Sequence, residues 1–193
     1  EFGQMLSDDN IKNHYYKLTN NIYLRNSLSS LTLPSNFAPR KLSGQGYTVY
    51  GLNIDRVREI VIEENENNVN YNYISLFGQS SGTIENINFE LSINVDLKNI
   101  EKPILISGLV ANNQNTISNV NIKIKTLKIS NLQNSQTIYL GGISAKNSGA
   151  ITNSIVNGDI NLTQTDNLNL SALYLGGLVG ENNGAIESNN DNY

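Results

Sequence analysis

The sequence predicts an all-β fold, a right-handed parallel β-helix of about six rungs, and three observations predict it. One phrase is said four times: YISLFGQSSGTIEN from Tyr73, LISGLVANNQNTISN from Leu105, YLGGISAKNSGAITN from Tyr139 and YLGGLVGENNGAIES from Tyr174. Its columns, among them Leu76, Leu109, Ile143 and Leu178, and Ile84, Ile117, Ile151 and Ile186, step by 33, 34 and 35 residues. A unit of that length, rich in strand formers, Gly and Asn, buries its apolar edge only by stacking on the next. Second, Ile87, Phe89, Leu91, Ile93, Val95 and Leu97 alternate with single polar residues, the period of a half-buried strand. Third, Asn86, Asn119, Asn153 and Ser188 form a polar column with the same steps. Such side chains hydrogen-bond up and down a stack and tolerate left-handed backbone at a tight turn.

Taken in order, residues 1–10 carry Gly, Ser, Asp and Asn without periodicity and read as a loose lead-in, with a short helix over 7–15 as an option. Residues 11–72 form the N-terminal rungs. The runs 16–19 and 21–24 are β-prone within a strand-like stretch to Leu33, and a turn region with Pro34, Ser35, Asn36 and Pro39 follows. Gly44 and Gly46 permit a positive-φ turn before a strand carrying Tyr47, Val49, Leu52 and Ile54. A dinucleotide fingerprint would need a third glycine and a following helix, and the sequence offers neither. Strand continues over 56–62. Glu63, Glu64, Asn65, Glu66, Asn67 and Asn68 then read as a solvated loop between rungs, since their spacing matches no calcium loop.

Residues 73–193 are the four repeat units, the last truncated. Val120, Ile122 and Ile124 point inward in the second unit, and Ser154, Val156, Gly158, Ile160 and Leu162 in the third. The polar stretches 98–103, 130–137 and 164–171 absorb the variation in unit length, and in a solenoid such insertions gather on one side. Glu1-Phe2 looks like a cloning scar and Tyr193 falls inside the fourth unit, so a fragment of a longer protein is expected.

Composition excludes several classes of function. With 13 basic and 17 acidic residues, a net charge of −4 and no Lys/Arg block, nucleic acid is not an expected partner. No apolar run approaches the ~18 residues of a membrane span, so this segment is not expected to insert. Cysteine is absent, which removes disulfides and thiolate metal sites. With 38% hydrophobic and only 16% charged residues, the surface is built of Asn, Ser, Thr and Gln, as suits an extracellular repeat protein.

His14 is the only histidine, so a zinc site with two His ligands cannot form and HExxH is absent. A serine triad would need His14, whose sequence neighbours Asn13, Tyr15 and Tyr16 offer no acid to orient it. No catalytic, cofactor-binding or metal residue is expected, and no cofactor. A β-helix lyase or glycosidase would place carboxylates on the outer strands; Asp55, Glu59, Glu85, Glu90 and Asp96 are scattered and share no column.

Tyr73, Tyr139 and Tyr174 open three phrases, with Leu105 in that place in the other. Facing out, they would form an aromatic strip for sugar rings or a partner protein; facing in, they would be core. The parity of Tyr139 with Ile143 and of Tyr174 with Leu178 favours the core. Asp159-Ile160-Asn161-Leu162-Thr163 fits an extended acidic glycosylation sequon, which makes Asn161 a candidate for modification.

The decapeptide GLVGENNGAI at 177–186 resembles the bacterial GLUG motif, in which Gly, Leu, an apolar residue and Gly precede a polar turn, a Gly and an Ile. GISAKNSGAI at 142–151 and GLVA at 108–111 are weaker copies, with Ala for the last Gly, and Leu76-Phe77-Gly78 lacks the first. YKLTNNIYL and SGQGYTVYGLNI look like the lead-in rungs that precede such repeats. The resemblance covers most of the chain and implies a parallel β-helix from a bacterial surface-exposed or secreted protein. With the repeat columns and the amide-rich surface, adhesion to host tissue or other cells, with a host-cell protein or glycan as partner, is the function expected first. An accessory module of an IgA1-protease-like metalloprotease and a carbohydrate-active β-helix enzyme are the alternatives.

Overall fold

The computed structural model describes residues 2–24, 36–132, 134, 136–159, 161–162 and 169–188. About 60% of the chain is strand and 5% helix, and the strands stack as a parallel β-solenoid.

The lead-in is ordered. Phe2, Met5 and Leu6 recur at helical spacing, and α1 (Phe2–Leu6) buries all three against the main core. A single 3₁₀ turn at Ile11–Asn13 stands where a helix over 7–15 was an option. The first rungs then supply β1 (Tyr15–Lys17), β2 (Ile22–Tyr23), β3 (Lys41–Ser43), β4 (Thr48–Ile54) and β5 (Arg58–Glu64). The strand-like residues 25–33 and the turn residues Pro34 and Ser35 lie outside the described residues.

Each repeat unit makes three strands with two corners. The first has β6 (Asn67–Ile74), β7 (Phe77–Ser80) and β8 (Thr83–Asp96); the second β9 (Ile104–Ser107), β10 (Val110–Asn113) and β11 (Thr116–Ser130). The third has β12 (Thr137–Gly141), β13 (Ser144–Asn147) and β14 (Ala150–Thr152), then β15 (Ile155–Asn157) and β16 (Asn161–Leu162). The fourth has β17 (Ala172–Gly176), β18 (Val179–Asn182) and β19 (Ala185–Glu187).

Strands one unit apart pair in parallel, which builds three walls. The first runs β1-β3-β8-β11-β14-β19, with β2, β4, β15 and β16 joined beside that path. The second runs β7-β10-β13-β18, and the third β6-β9-β12-β17 with β5 at its edge. The solenoid makes about three turns, fewer than the about six rungs expected. Among the described residues only the first wall is six strands deep, because residues 41–54 lend strands to it alone and β5 folds back antiparallel on β6.

The interior is a set of columns. Ile84, Ile117 and Ile151 stack in register and are buried, as is Phe89 between Val49 and Ile122. Each such side chain contributes about 1.5–3 kcal/mol. The alternation Val120, Ile122, Ile124 points inward as expected, and a bulge between Ile124 and Thr126 restores Leu127 and Ile129 to the interior.

Polar ladders fix the corners. Asn86, Asn119 and Asn153 have φ of 51°, 51° and 47°, and the Asn119 amide donates to Asn86 Oδ1 at 3.1 Å. A second ladder, which the sequence reading missed, lies within the stack: Asn113 donates to Asn147 and Asn147 to Asn182, each at 2.7 Å. Asn113 and Asn147 are buried, so their amides find partners one rung away in place of water.

Candidate functional site

Residues 63–68 do not form a loop between rungs. Glu63 and Glu64 end β5, Asn67 and Asn68 begin β6, and Asn65 and Glu66 alone make the turn with φ of 48° and 66°. Two successive left-handed residues match the twist of a tight hairpin. The acidic stretch is therefore the tip of a ribbon, and its strands carry apolar residues on one face: Ile60 and Ile62, Val69, Tyr71 and Tyr73.

Only Asn72, Tyr73 and Ile74 of β6 pair with β9. The rest of the hairpin lies across the outside of the stack and reaches Lys146, two units further on. Beneath it Tyr73, Leu105, Ala111 and Ala145 join Ile60, Ile62 and Tyr71 in a second apolar core, distinct from the interior, with Val69 and Tyr139 packed against it. Small residues make this possible. Gly78, Ala111, Ala145 and Gly180 share one register position, and a Cβ on Gly78 would stand 2.7 Å from the Asn36 carbonyl oxygen and 2.9 Å from the Tyr73 ring. At Gly78, Ala111 and Ala145 small residues thus let the ribbon lie on the wall, whereas a Cβ on Gly180 would meet the Ala145 carbonyl oxygen and the Leu140 backbone of the stack itself.

Cations hold both ends of the hairpin. At the root, Arg58 donates to the carbonyls of Ser75 and Leu76 at 2.6 and 2.7 Å and lies over the Tyr73 ring, 4.5 Å from its centroid. At the tip, Lys146 Nζ donates to Glu64 at 2.6 Å and to the Tyr71 hydroxyl at 3.3 Å, and sits 3.0 Å from Glu181 Oε2. It also lies 4.6 Å from the Tyr139 centroid. The Glu181 contact is off hydrogen-bonding geometry, so that buried oxygen receives charge compensation without a hydrogen bond. Burial alone would lower the Lys146 pKa, but Glu64, Glu181 and the Tyr71 hydroxyl outweigh it and the ammonium is held above its usual range. Lys146 thus ties the hairpin tip to the wall.

Burial pushes Tyr71 and Tyr73 up to about 12. The folded state therefore keeps protons that the unfolded chain begins to lose near pH ~10 for Tyr and ~10.4 for Lys. Their contribution is full below that and is lost as pH rises through the folded values. The urea midpoint is expected to hold steady up to about pH 9 and to fall between about pH 10 and 12, with Tyr73→Phe reducing the fall. A midpoint unchanged across that window would contradict the burial of these rings.

The three opening tyrosines share one register column with Leu105, and the column faces out of the solenoid. Their neighbours Ile104, Ile106, Ile138 and Leu140 are the interior residues. Parity with Ile143 misleads because β12 ends at Gly141 and β13 starts at Ser144, and the corner between them resets the alternation. Facing out does not mean exposed: Tyr73 is 0% exposed beneath the hairpin, Tyr139 is half-buried, and Tyr174 is 42% exposed. Tyr139 and Tyr174 stack with centroids 4.6 Å apart and planes 4° from parallel.

Beside Lys146 the hairpin tip and the second wall enclose an open cleft of about 340 Å³, with Glu63, Glu64 and Asn65 on one side and Asn112, Gln114 and Glu181 on the other.

The carboxylates considered for glycoside chemistry are not brought together. Glu59 pairs with Lys102 at 2.8 Å, Glu85 with Lys41 at 2.9 Å, and Glu90 with Lys125. Asp96 accepts from Asn131 at 2.8 Å and from the Lys98 N–H at 2.9 Å, while Asp55 lies just beyond β4. His14 does gain an acid that its sequence neighbours hide: Asp8 meets its Nδ1 at 2.7 Å and also accepts from the Tyr16 hydroxyl. Hydrogen bonds from Tyr16, the Asn10 N–H and His14 hold the Asp8 carboxyl below its usual range. Among the described residues no group of three or more His, Cys, Asp or Glu could hold a metal ion. Asn161 pairs with Lys128 through β16; Ile160 and Thr163 of its sequon lie outside the described residues.

Walls, ladders and an outer hairpin together define the chain as a braced parallel β-solenoid. No protein-family model, curated protein or solved structure matches it.

Proposed function

We propose that the chain is a non-catalytic β-helix segment of a bacterial protein, exposed at the cell surface or secreted, that acts in adhesion to host tissue or other cells. The observation that carries this reading is the outer surface of the stack. A polar cleft lined by Lys146, and a stacked tyrosine pair whose Tyr139 ring lies 4.6 Å from that same ammonium, stand on an array of in-register strands. A surface fixed in advance by interior columns and side-chain ladders loses little freedom when it binds. The GLUG-like phrases point to the same setting, with a host-cell protein or glycan as partner.

The test is the binding of the labelled chain to cultured host cells, matrix proteins and arrayed glycans. Saturable binding that unlabelled chain displaces is expected; no binding to any of the three would sink the reading.

A further inference from the structure

We infer that the cleft beside the hairpin tip binds a neutral oligosaccharide, an inference that rests on the adhesion reading and names its ligand class. The cleft, at about 340 Å³, has the size of a small-ligand site. Its charges decide what can enter. Glu63, Glu64 and Glu181 line it with one cation, Lys146, whose side chain is 12% exposed and engaged by two of those carboxylates. An anionic ligand would meet three carboxylates and an ammonium already committed to two of them.

Glu64 already accepts from Lys146 and Tyr71, and Gln114 Oε1 from the Gln79 amide; what remains is Glu63, the Gln114 amide donors and amides such as Asn65, and these suit hydroxyl groups that both donate and accept. Neither tyrosine lines the cleft itself, but across Lys146, whose Nζ lies 4.6 Å from the Tyr139 centroid, the Tyr139–Tyr174 stack supplies an apolar plane, with Tyr174 42% exposed. A sugar has both surfaces, hydroxyls at its rim and a C–H face for the ring. An aliphatic chain would cover the carboxylates and return them no hydrogen bonds.

The experiment is saturation-transfer NMR and calorimetry on the whole chain, with cellotriose and N-acetyllactosamine as neutral probes and sialyllactose as the anionic one. At least one neutral probe is expected to bind, and sialyllactose about tenfold more weakly or not at all. Gln114→Ala and Tyr174→Ala, both at exposed positions, should each weaken the neutral probe about tenfold with unchanged circular dichroism. No transfer to any probe, equal binding of sialyllactose, or full affinity in both variants would overturn the inference. A chain that adheres to cells yet binds none of the probes leaves the adhesion reading standing and removes this one; a chain that does neither removes both.

Discussion

Phe89→Ala is expected to lower the unfolding free energy by about 3–5 kcal/mol. Phe89 is 1% exposed and sits in the interior column between Val49 and Ile122. Removing a large ring from a core loses its transfer free energy and leaves a cavity, and the cost depends on how far the surroundings can close in. Here they can close little. Ladder hydrogen bonds to β4 and β11 set the spacing of the rungs above and below, so the column cannot shorten. Against a typical total of about 5–15 kcal/mol, the loss is a large share of the stability. Urea unfolding followed by circular dichroism would read it as a lower midpoint at unchanged slope. Tyr50→Ala, on the same wall but stacked on Tyr23 outside the core, should cost far less. Equal costs would mean that the interior columns do not carry the stack.

Lys146→Met should cost about 2–3 kcal/mol and loosen the hairpin before the rungs. Removing one partner of a buried pair leaves the other charges unpaired, which in full burial costs about 3–5 kcal/mol. The Glu64 and Glu181 side chains keep 29% and 30% of their exposure, so water meets part of that demand and the lower range applies. Hydrogen exchange gives the specific readout. Amides of the outer half of the hairpin, 60–71, should lose protection while those of β8 and β11 keep theirs. Adding Glu64→Gln to Lys146→Met should cost less than the two single changes summed, because the second removes a charge that the first left unpaired. Uniform loss of protection through hairpin and rungs would show that Lys146 supports the stack as a whole and does not tie the hairpin alone.

Much of the fold was legible, and for a definite reason. Ile84, Ile117 and Ile151 recur because each must lie over the last, and Asn86, Asn119 and Asn153 recur because each turn needs a left-handed residue that can bond to its neighbour. The helix Phe2–Leu6 was also within reach, since its apolar residues have helical spacing; five residues are too few to stand out from a polar lead-in. The second ladder, Asn113, Asn147 and Asn182, steps by 34 and 35 residues and could have been found by the logic that found the first. It was hidden because the first unit carries Ser80 in that column, which breaks the run of Asn.

The candidate site was largely illegible. Glu64 and Lys146 are 82 residues apart and belong to no common column, and nothing local pairs them. Tyr73, Tyr139 and Tyr174 were visible as a column, but their direction was not, because alternation holds only along a continuous strand and fails across the Gly-rich corner before β13.

By itself the sequence determined that this chain stacks on itself in parallel, which residues fill the columns and where the polar ladders turn. These are periodic demands, repeated in every unit, and repetition makes them readable. Only the tertiary structure decided that one aperiodic segment becomes a hairpin folded over the outer wall, which tyrosines it covers, and where it leaves a cleft. That segment occurs once, and its partners are set by where the ribbon lies in space, across rungs far apart in sequence.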